Sequence, residues 1–430
     1  MTLLVVDDPE LAAGISRLRG EWAERSGGEL IIQQQTAQEL LGGDELTPDL
    51  VVYPSRYLGT LVDRAWLRPV RKSLLRDKEL NLKDIFTLIR DRVMRYGGEI
   101  FGLSLGEPPL MLAWEGNVPV EMKGGLSLTW SQCDRLGGGR SRAATLNKLK
   151  NPLAVELIVR AVGYFALRGD ADFLFDAQTM EPRLLEPPFV RALRELLLLD
   201  MKAFEKKKEE ARKNFPPALL SWPTAIPKDA NSETAAPEEG EGKTTVHLFA
   251  IPHVDEAYDR GLETWRTAEE VRVSPTFLGF SGRMVSVSRA SRNAVSAFKL
   301  LKWLARGDTA TQVSSQSNAT IWFRESQASL FAKWFQGRNI SDGTSLTVTK
   351  LLSSENAYLL PRIPGIDEYL KSLNEAIAGA RLGDLGEEEV LHVATRSWQA
   401  ISERYGTQSQ REAYRKHLGL DDQIPMPEDR

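Results

Sequence analysis

The sequence predicts an α/β fold that begins with a parallel sheet and ends in a mainly helical part. Three short apolar runs, at residues 3–6, 30–32 and 50–53, are each followed by a segment with helical character. The first seventy residues therefore read βαβαβα, an order typical of parallel strands joined by right-handed crossovers. From residue 293 onward, apolar residues recur chiefly at helical spacing.

The first helix shows the local signals on which this prediction depends. Apolar residues from Leu11 to Trp22 recur at spacings of 4, 3 and 4, which predicts one helix running to about Arg25. Asp8 stands directly before it and can act as its N-cap, because a carboxylate accepts the free N–H groups of the first turn.

The third strand and its helix are marked by the stretch from Pro48 to Val70. Residues 50–53 form an apolar run of the kind that a parallel strand buries on both faces. Pro54 ends the strand, and the hydroxyl of Ser55 can cap the helix that follows. Ligands of open α/β sheets bind at the carboxyl ends of the strands, so residues 53–56 are placed where a ligand would lie.

The remaining elements follow from the same criteria. Strands are predicted at residues 100–105, 110–114, 219–223, 246–251 and 277–288, the last interrupted by Gly279 and Gly282. Helices are predicted at residues 37–41, 82–96, 154–167, 187–199, 293–306, 326–335, 366–380 and 387–405, with a last helical stretch to 418. Residues 228–243 are polar and contain no core material, which indicates a flexible insertion.

Composition excludes several classes of protein. A chain of 430 residues with 42% apolar residues can form two or three cored domains, and a net charge of −4 argues against nucleic-acid binding. No apolar run is long enough to span a membrane. The single cysteine, Cys133, allows no internal disulfide, and the four histidines lack ligand spacing, so we expect neither metal nor cofactor.

Motifs in the sequence argue against a phosphorylated signalling domain and against common catalytic sites. Asp7 and Asp8 after the first strand resemble the acidic pair of a response-regulator receiver, but Pro54 stands where the phosphoaccepting Asp would be. The sequence contains no phosphate-binding glycine loop, and no Gly-x-Ser-x-Gly elbow follows a strand. We therefore expect no catalytic residues.

Tryptophans give the first indication of a ligand. The chain has ten of them, a high number for its length, and several lie beside Pro, Gly or Arg in predicted loops: Trp114, Trp130, Trp222, Trp265 and Trp322. A flat aromatic face beside polar groups suits a sugar ring, whose faces are apolar and whose edges carry hydroxyls. Core packing is the alternative for each; Trp222 and Trp322 are the better candidates because each ends a strand-like or loop segment.

Five segments in order resemble the extracellular solute-binding proteins of bacterial ABC importers, specifically the sugar-type family 1. They are PDLVVYPSRYLGTLVDRAWLRPV (48–70), YGGEIFGLSLGEPPLMLAWEGNV (96–118), the Leu-Thr-Trp step at 128–130, LLSWPT (219–224) and FLGFSGRMVSVSRASRNAVSAFKLLKWLARGD (277–308). The last is the most specific, with its glycine-rich strand and its amphipathic helix ending in Trp-Leu. The family's usual Pro is absent at Leu105, and residues 200–245 form an insertion.

The resemblance implies a two-lobe, periplasmic binding protein-like fold of type II with hinge-linked lobes. Lobe one would comprise residues 1–112 and 278–325, and lobe two residues 113–277 and 326–430. It further implies a non-enzymatic, monomeric protein that captures a small solute, expected to be a carbohydrate, and delivers it to an ABC transporter permease. Such a protein is exported to the periplasm or cell surface, often as a lipoprotein; no signal peptide is recognisable in this chain.

Ten residues are predicted to bind the ligand in the cleft between the lobes. They are Tyr53, Ser55, Arg56, Ser104, Glu107, Trp222, Ser281, Arg283, Trp322 and Arg324. The tryptophans would stack on the ligand, Ser and Glu would bind hydroxyls, and Arg would make bidentate contacts; an ion pair between the lobes is the alternative for Arg283 and Arg324. A sensory or interaction protein on the same fold, or less favourably a two-domain enzyme, remains open.

Overall fold

The fold was analysed in a computed structural model of the chain. It describes residues 1–115, 117–118, 128–136, 150–165, 172–205, 219–226, 245–267 and 274–420. The predicted insertion at 228–243 and the GGGR segment at 137–140 lie outside the described residues.

Strands and helices alternate through the first half, and helices dominate the second. The strands are β1 Thr2–Val6, β2 Ile31–Gln35, β3 Leu50–Pro54, β4 Arg95–Tyr96, β5 Glu99–Ile100, β6 Gly102–Gly106, β7 Met111–Glu115, β8 Leu219–Ser221, β9 Val246–Phe249, β10 Glu256–Asp259, β11 Thr264–Thr267, β12 Thr276–Leu278, β13 Arg283–Val287 and β14 Ala357–Leu359. The helices are α1 Pro9–Arg17, α2 Arg19–Ser26, α3 Ala37–Gly42, α4 Leu58–Asp63, α5 Lys72–Leu75, α6 Trp130–Leu136, α7 Pro152–Gly163, α8 Pro187–Glu205, α9 Ala294–Ala305, α10 Gly307–Ser314, α11 Thr344–Leu352, α12 Ile366–Leu382, α13 Glu387–Tyr405 and α14 Thr407–Leu418. None of the described helices is both long enough and apolar enough to cross a membrane.

A five-stranded mixed sheet has the order β2-β1-β3-β13-β6. β1 pairs in parallel with both β2 and β3, which confirms the parallel start predicted from the βαβαβα order. β13 enters the sheet from far along the chain and runs antiparallel to both β3 and β6. Every residue of β3 is buried, as its continuous apolar run predicted.

A second, smaller sheet has the order β8-β7-β9 and is antiparallel. β7 follows β6 after only four residues, 107–110, yet the two strands lie in different sheets. The chain leaves the large sheet at this point and returns to it through β13.

Two large groups of buried apolar side chains form the interior; we call them the first and second core clusters. The first contains the large sheet together with α1 and α9, and it extends through Trp334 and Leu352 to Leu359. The second contains α7, the N-terminal half of α8, α12 and α13, and it takes over from Leu360. In the C-terminal part of the chain, the buried apolar residues therefore pass from the first to the second core cluster between residues 359 and 360, whereas the predicted lobe boundary is at 325. The lobe boundaries themselves stay a prediction.

The two core clusters approach each other closely at Gly59 of α4. A Cβ atom at this position would lie 1.7 Å from the carbonyl oxygen of Arg362, which is far inside any real contact. Glycine is therefore required here for backbone-to-backbone approach.

Local differences from the predictions have local causes. The predicted helix from Asp8 to Arg25 is divided at Leu18 into α1 and α2, although Asp8 caps α1 as expected by accepting the N–H of Leu11 at 3.0 Å. The predicted helix at 82–96 is instead a single 3₁₀ turn, a five-residue π-helix and β4. The 326–335 segment forms 3₁₀ turns kinked at Leu330.

Two further predictions about residues in loops are wrong. The Ser55 hydroxyl does not cap a helix, because it donates instead to the carbonyl of Ser281 at 3.2 Å. Three of the tryptophans assigned to loops lie in regular elements, namely Trp114 in β7, Trp130 at the start of α6 and Trp265 in β11.

Candidate functional site

A cavity of about 670 Å³ lies at the carboxyl end of the large sheet, between residues of the two core clusters. One wall consists of residues at or just beyond the carboxyl ends of β1, β2 and β3, where an open α/β sheet presents its loops. The opposite wall comes from α7, α12 and the loop after β8. The lining residues are Val5, Asp7, Asp8, Pro9, Gln34, Gln35, Thr36, Glu39, Pro54, Arg56, Lys150, Asn151, Val155, Trp222, Phe280, Ser281, Arg283, Ala319, Leu360, Asp367 and Leu370.

The floor of the cavity is held by an ion pair between Asp8 and Arg283. Arg283 Nε lies 3.0 Å from Asp8 Oδ2, and its Nη2 donates to the carbonyl of Asp7 at 2.9 Å. Asp8 also accepts the hydroxyl of Ser317 at 2.6 Å. Burial lowers the pKa of Arg283, and the positive charge of Arg56 adds to this, while Asp8 opposes it. This pair fixes the end of β1 against β13.

A second ion pair crosses the cavity. Arg56, after β3, donates from Nε to Asp367 Oδ1 of α12 at 2.9 Å. Tyr57 completes the group, since its hydroxyl donates to the other Asp367 oxygen and accepts from Arg56 Nη2 at 3.1 Å. Burial raises the pKa of Tyr57, so its hydroxyl stays protonated and remains a donor. The group joins the sheet side of the cavity directly to the helical side.

Aromatic side chains supply the apolar part of the lining. Trp222, after β8, is fastened by its indole N–H, which donates to the carbonyl of Asn318 at 2.8 Å. Phe280 stands between the two glycines that separate β12 from β13 and is half-buried. With these rings and several carboxylate, amide and cationic groups, the cavity offers both ring faces and hydrogen-bonding partners to a polyhydroxylated molecule.

Polar groups at the mouth come from the end of β2 and the start of α7. Gln34, Gln35 and Glu39 are exposed along one side, and Lys150 and Asn151 face them from the other. Amides both donate and accept hydrogen bonds, which suits the hydroxyls of a sugar.

The structure brings four of the ten predicted residues to the cavity. These are Arg56, Trp222, Ser281 and Arg283. Tyr53, Ser55 and Ser104 do not line it and are fully buried. Their hydroxyls contact other parts of the sheet: Tyr53 and Ser286 lie 2.8 Å apart, and Ser104 accepts the N–H of Gly106 at 3.0 Å.

Glu107 is fully buried behind the cavity floor. Its Oε1 accepts the N–H of Gly279 at 2.9 Å, and its carboxyl packs so closely on Gly282 that a Cβ there would lie 2.1 Å from Oε2. Burial raises the pKa of Glu107 to about 7, although Ser55, the Gly279 N–H, Arg283 and Arg362 all act to lower it. Glu107 thus stands at the point where the chain returns to the large sheet, and it does not line the cavity.

Trp322 and Arg324 also lie away from the cavity. Trp322 is buried in the first core cluster and packs edge-to-face on Trp334 with ring centroids 5.6 Å apart. The guanidinium of Arg324 donates to the carbonyls of Leu80 and Ala305 and pairs with Asp84 at 3.3 Å. Arg324 and Arg283 are both ion-paired, but their partners Asp84 and Asp8 belong to the same predicted lobe, so neither pair joins the two lobes.

Several lining residues were not singled out from the sequence. Gln34 and Gln35 are the last residues of β2, and Thr36 follows it, so the strand-end rule applied to every strand would have found all three. Phe280 was within the recognised glycine-rich segment. Asp367 carried no local signal, because it meets Arg56 across 311 positions of sequence.

Comparison with solved structures identifies the fold of the chain. The sugar-binding protein MalE from the phytopathogen Xanthomonas citri superposes with a TM-score of 0.66 at 13% identity, over 95% of this chain and all of that one. An ABC transporter solute-binding protein from Agrobacterium radiobacter in complex with ribitol gives 0.64 at 17% identity, over 93% and 98% of the chains. A cyclo/maltodextrin-binding protein complexed with maltotetraose gives 0.63 at 17%, over 94% and 97%.

The chain has the fold of ABC transporter solute-binding proteins. This confirms the fold predicted from the five sequence segments. No protein-family model matches the sequence, and no curated protein does. The likeness therefore establishes the solute-binding-protein fold and leaves the solute of this chain to be argued from its own cavity.

Proposed function

We propose that this protein binds a carbohydrate in the 670 Å³ cavity and delivers it to the permease of an ABC importer. The observation that carries the proposal is the composition of the cavity wall: Trp222 and Phe280 offer ring faces beside amide and carboxylate groups. Sugar rings need both kinds of contact. The volume is within the usual range of small-molecule sites and suits a sugar of one to a few rings.

The fold supports the same proposal. Known structures with this architecture are named as binding maltotetraose, ribitol, D-mannitol and alpha-D-tagatose. In the proposal, residues 1–112 and 278–325 act as lobe one, residues 113–277 and 326–430 act as lobe two, and ligand binding favours closure. The protein would act outside the cytoplasm, in the periplasm or at the cell surface as a lipoprotein, and as a monomer without enzymatic activity.

A thermal-shift screen tests the ligand class. Mono- and oligosaccharides and polyols should include at least one compound that raises the melting temperature, because a ligand that binds only the folded state stabilises it. Amino acids and short peptides form the comparison panel. Stabilisation by a peptide or an amino acid, with none by any sugar, would show that the carbohydrate assignment is wrong.

Replacing Trp222 with alanine should weaken binding of the stabilising sugar by at least about tenfold, equal to about 1.4 kcal/mol. The variant loses the larger of the two aromatic side chains that line the cavity and keeps its polar side chains. Calorimetric titration measures the affinity, and Trp66→Ala is the control, since Trp66 is half-buried and lies outside the cavity. Equal affinity of the Trp222 variant and the wild type would remove Trp222 from the site.

The Asp367→Asn variant tests the ion pair that crosses the cavity. We expect sugar affinity to fall about three- to tenfold, because the bound arrangement loses the charge that holds Arg56 across the cavity. The free energy of unfolding should also fall, by about 1–3 kcal/mol, because Arg56 is largely buried and loses its charged partner while Asp367 is partly exposed. Glu375→Gln on the same helix is the matched control, as its pair with Lys371 is exposed. An affinity unchanged from wild type would contradict a role for the pair in binding.

A further inference from the structure

Helix α7 begins at the wall of the proposed sugar site with an asparagine that does not cap it. Asn151 is the N-cap residue of α7, and Pro152 is the first residue of the helix. An N-cap asparagine ordinarily has an extended backbone, from which its side chain accepts the N–H of the second or third helical residue. Asn151 has φ 55° and ψ 56°, in the left-handed region, and its side chain makes no capping hydrogen bond. The helix therefore does not use the amide of Asn151.

A residue of another helix caps α7 instead. Asn374 of α12 accepts the N–H of Leu153 through its Oδ1, at 2.9 Å. Leu153 is the second residue of α7, whose N–H an N-cap side chain would otherwise accept. Asp367, Leu370 and Asn374 are spaced by three and four residues and share one face of α12. The first two line the cavity, so this face of α12 holds the start of α7 at the cavity wall.

The amide of Asn151 is open to the cavity. Asn151 lines the cavity and is half-buried. Among the described residues, its side chain has no hydrogen-bond partner, and neither of its amide atoms is enclosed by protein. Val155, one turn further along α7, also lines the cavity. The amide thus offers one acceptor and two N–H donors beside an apolar side chain.

The backbone conformation also sets Asn151 apart. In the described part of the chain, the non-glycine residues with positive φ are Asp7, Ala65, Asn81, Asn151, Met180 and Glu263. Of these, Asp7 lines the cavity at the end of β1, and Asn151 lines it at the start of α7. Uncommon backbone conformations of this kind cluster at ligand sites. Oδ1 of Asp7 accepts the N–H of Ala37 at 3.0 Å, so the Asp7 side chain is partly used, whereas that of Asn151 is free.

We infer that Asn151 is a ligand-binding residue that helps to determine which sugar the cavity accepts: its amide donates to one hydroxyl of the ligand and accepts from a neighbouring one. Hydroxyls both donate and accept, so two adjacent hydroxyls match the two halves of an amide. A ligand without hydroxyls at this position leaves the amide unpaired and is discriminated against. The hydroxyl as the partner group rests on the proposed function; the role of Asn151 in binding does not.

The Asn151→Gly variant tests the inference. Glycine adopts the left-handed conformation freely, so the substitution keeps the backbone and removes the amide. The probes are D-glucose, maltose, D-mannitol and ribitol, and calorimetric titration should show about three- to tenfold weaker binding of any that the wild type binds. Asn81→Gly is the matched control, because Asn81 is also left-handed, with φ 44°, makes no capping bond and lies outside the cavity. Equal affinity of Asn151→Gly and the wild type, or equal weakening by Asn81→Gly, would overturn the inference.

Side-chain amide signals in ¹H–¹⁵N spectra report the contact separately from the affinity. The Asn151 pair is identified by its absence from the spectrum of Asn151→Gly. On addition of a probe sugar that binds, this pair should shift while the pair of Asn81 stays in place. An Asn151 pair that does not move at saturation would contradict the inference.

Melting temperatures test whether the amide is free before any ligand is added. Asn374→Val should lower the melting temperature by about 1–3 °C, because valine has a similar helix propensity but leaves the N–H of Leu153 without its acceptor. Asn151→Gly should leave the melting temperature as it is in the wild type. A decrease in Asn151→Gly as large as that in Asn374→Val would show that the Asn151 amide serves the helix and would overturn the inference.

Comparison probes separate this inference from the proposed function. Glutamate and trialanine are titrated beside the sugars. A sugar that binds Asn151→Gly as tightly as it binds the wild type would overturn the inference and leave the carbohydrate proposal standing. Binding of trialanine or glutamate but of no sugar, at least about threefold weaker in Asn151→Gly, would support Asn151 as a ligand-binding residue and reject the carbohydrate proposal.

Discussion

Replacing Arg160 with methionine should lower the free energy of unfolding by about 3–5 kcal/mol, the largest effect expected of any single substitution considered for this protein. Arg160 lies on α7 within the second core cluster and is fully buried. Its guanidinium donates two hydrogen bonds to Asp134, at 2.8 and 3.0 Å, and two to Oε1 of Glu156, at 3.1 and 3.3 Å; Glu156 is itself fully buried. It also stacks on Trp130, 4.2 Å from the ring centroid.

The cost comes from the carboxylates left behind. Burial lowers the pKa of Arg160, but Asp134 and Glu156 outweigh this and raise it overall, so the side chain is charged at every accessible pH. Removing it deprives a buried Glu156 of its guanidinium partner, and an uncompensated buried charge is far more costly than a lost surface pair. Methionine keeps much of the side-chain volume, so the effect reports charge more than packing.

Chemical denaturation measures the change, and Arg194→Met is the control. Arg194 lies on α8 and pairs with Glu387 at 2.9 Å, but its side chain is 61% exposed, so its loss should cost no more than about 1 kcal/mol. Adding Glu156→Leu to Arg160→Met should restore part of the lost stability, since it removes the stranded charge. If Arg160→Met costs no more than Arg194→Met, the buried network does not stabilise the fold in the way argued.

The free energy of unfolding should fall by about 3 kcal/mol as the pH rises from about 4.5 to above 7, because of the ionisation of Glu107 alone. The pKa of this carboxyl is about 7 in the folded protein, against an ordinary value of 4.5. Between these values the folded state holds a proton that the unfolded state has released. Raising the pH therefore favours unfolding, and the penalty is complete once Glu107 ionises in the folded state.

The Glu107→Gln variant isolates this contribution. Glutamine keeps the shape and the acceptor for the Gly279 N–H, and it cannot ionise. We expect the variant to be more stable than the wild type at pH 8, by about 3 kcal/mol, with the difference shrinking toward pH 5. Denaturation curves at pH 5, 6, 7 and 8 measure it, and Glu375→Gln, at a largely exposed side chain, is the control. Parallel pH profiles for wild type and Glu107→Gln would refute the argument.

Elements with a strong local pattern were predictable from sequence. β1 and β3 are continuous apolar runs and β2 begins with one, and capped helices separate the three, so their type and parallel pairing followed from local signals. The helix α13 spans the predicted residues, Glu387–Tyr405, because its apolar stripe is long and regular. The same reasoning gave a wrong prediction for residues 82–96. The Ile and Leu residues there have helical spacing and are buried in the first core cluster, but the segment forms a 3₁₀ turn, a π-helix and a strand.

The candidate site likewise contains residues that the sequence could identify and excludes others that look similar in sequence. Arg56 and Trp222 were found because each follows a strand, and the ends of strands can be read locally. Trp322 has a similar local context, but it packs into the first core cluster on Trp334. Nothing within a short window of sequence distinguishes a tryptophan that lines a cavity from one that fills a core.

The sequence by itself determined the α/β class, the parallel start of the large sheet and the order of segments typical of solute-binding proteins. These properties depend on hydrophobic spacing and turn residues, which act over a few positions. Only the tertiary structure decided that Asp367 faces Arg56, that Glu107 is enclosed beside Gly279 and Gly282, and that Trp22 meets Trp303. Each of these contacts joins residues more than 170 positions apart, and such pairing is set by how the elements pack against one another.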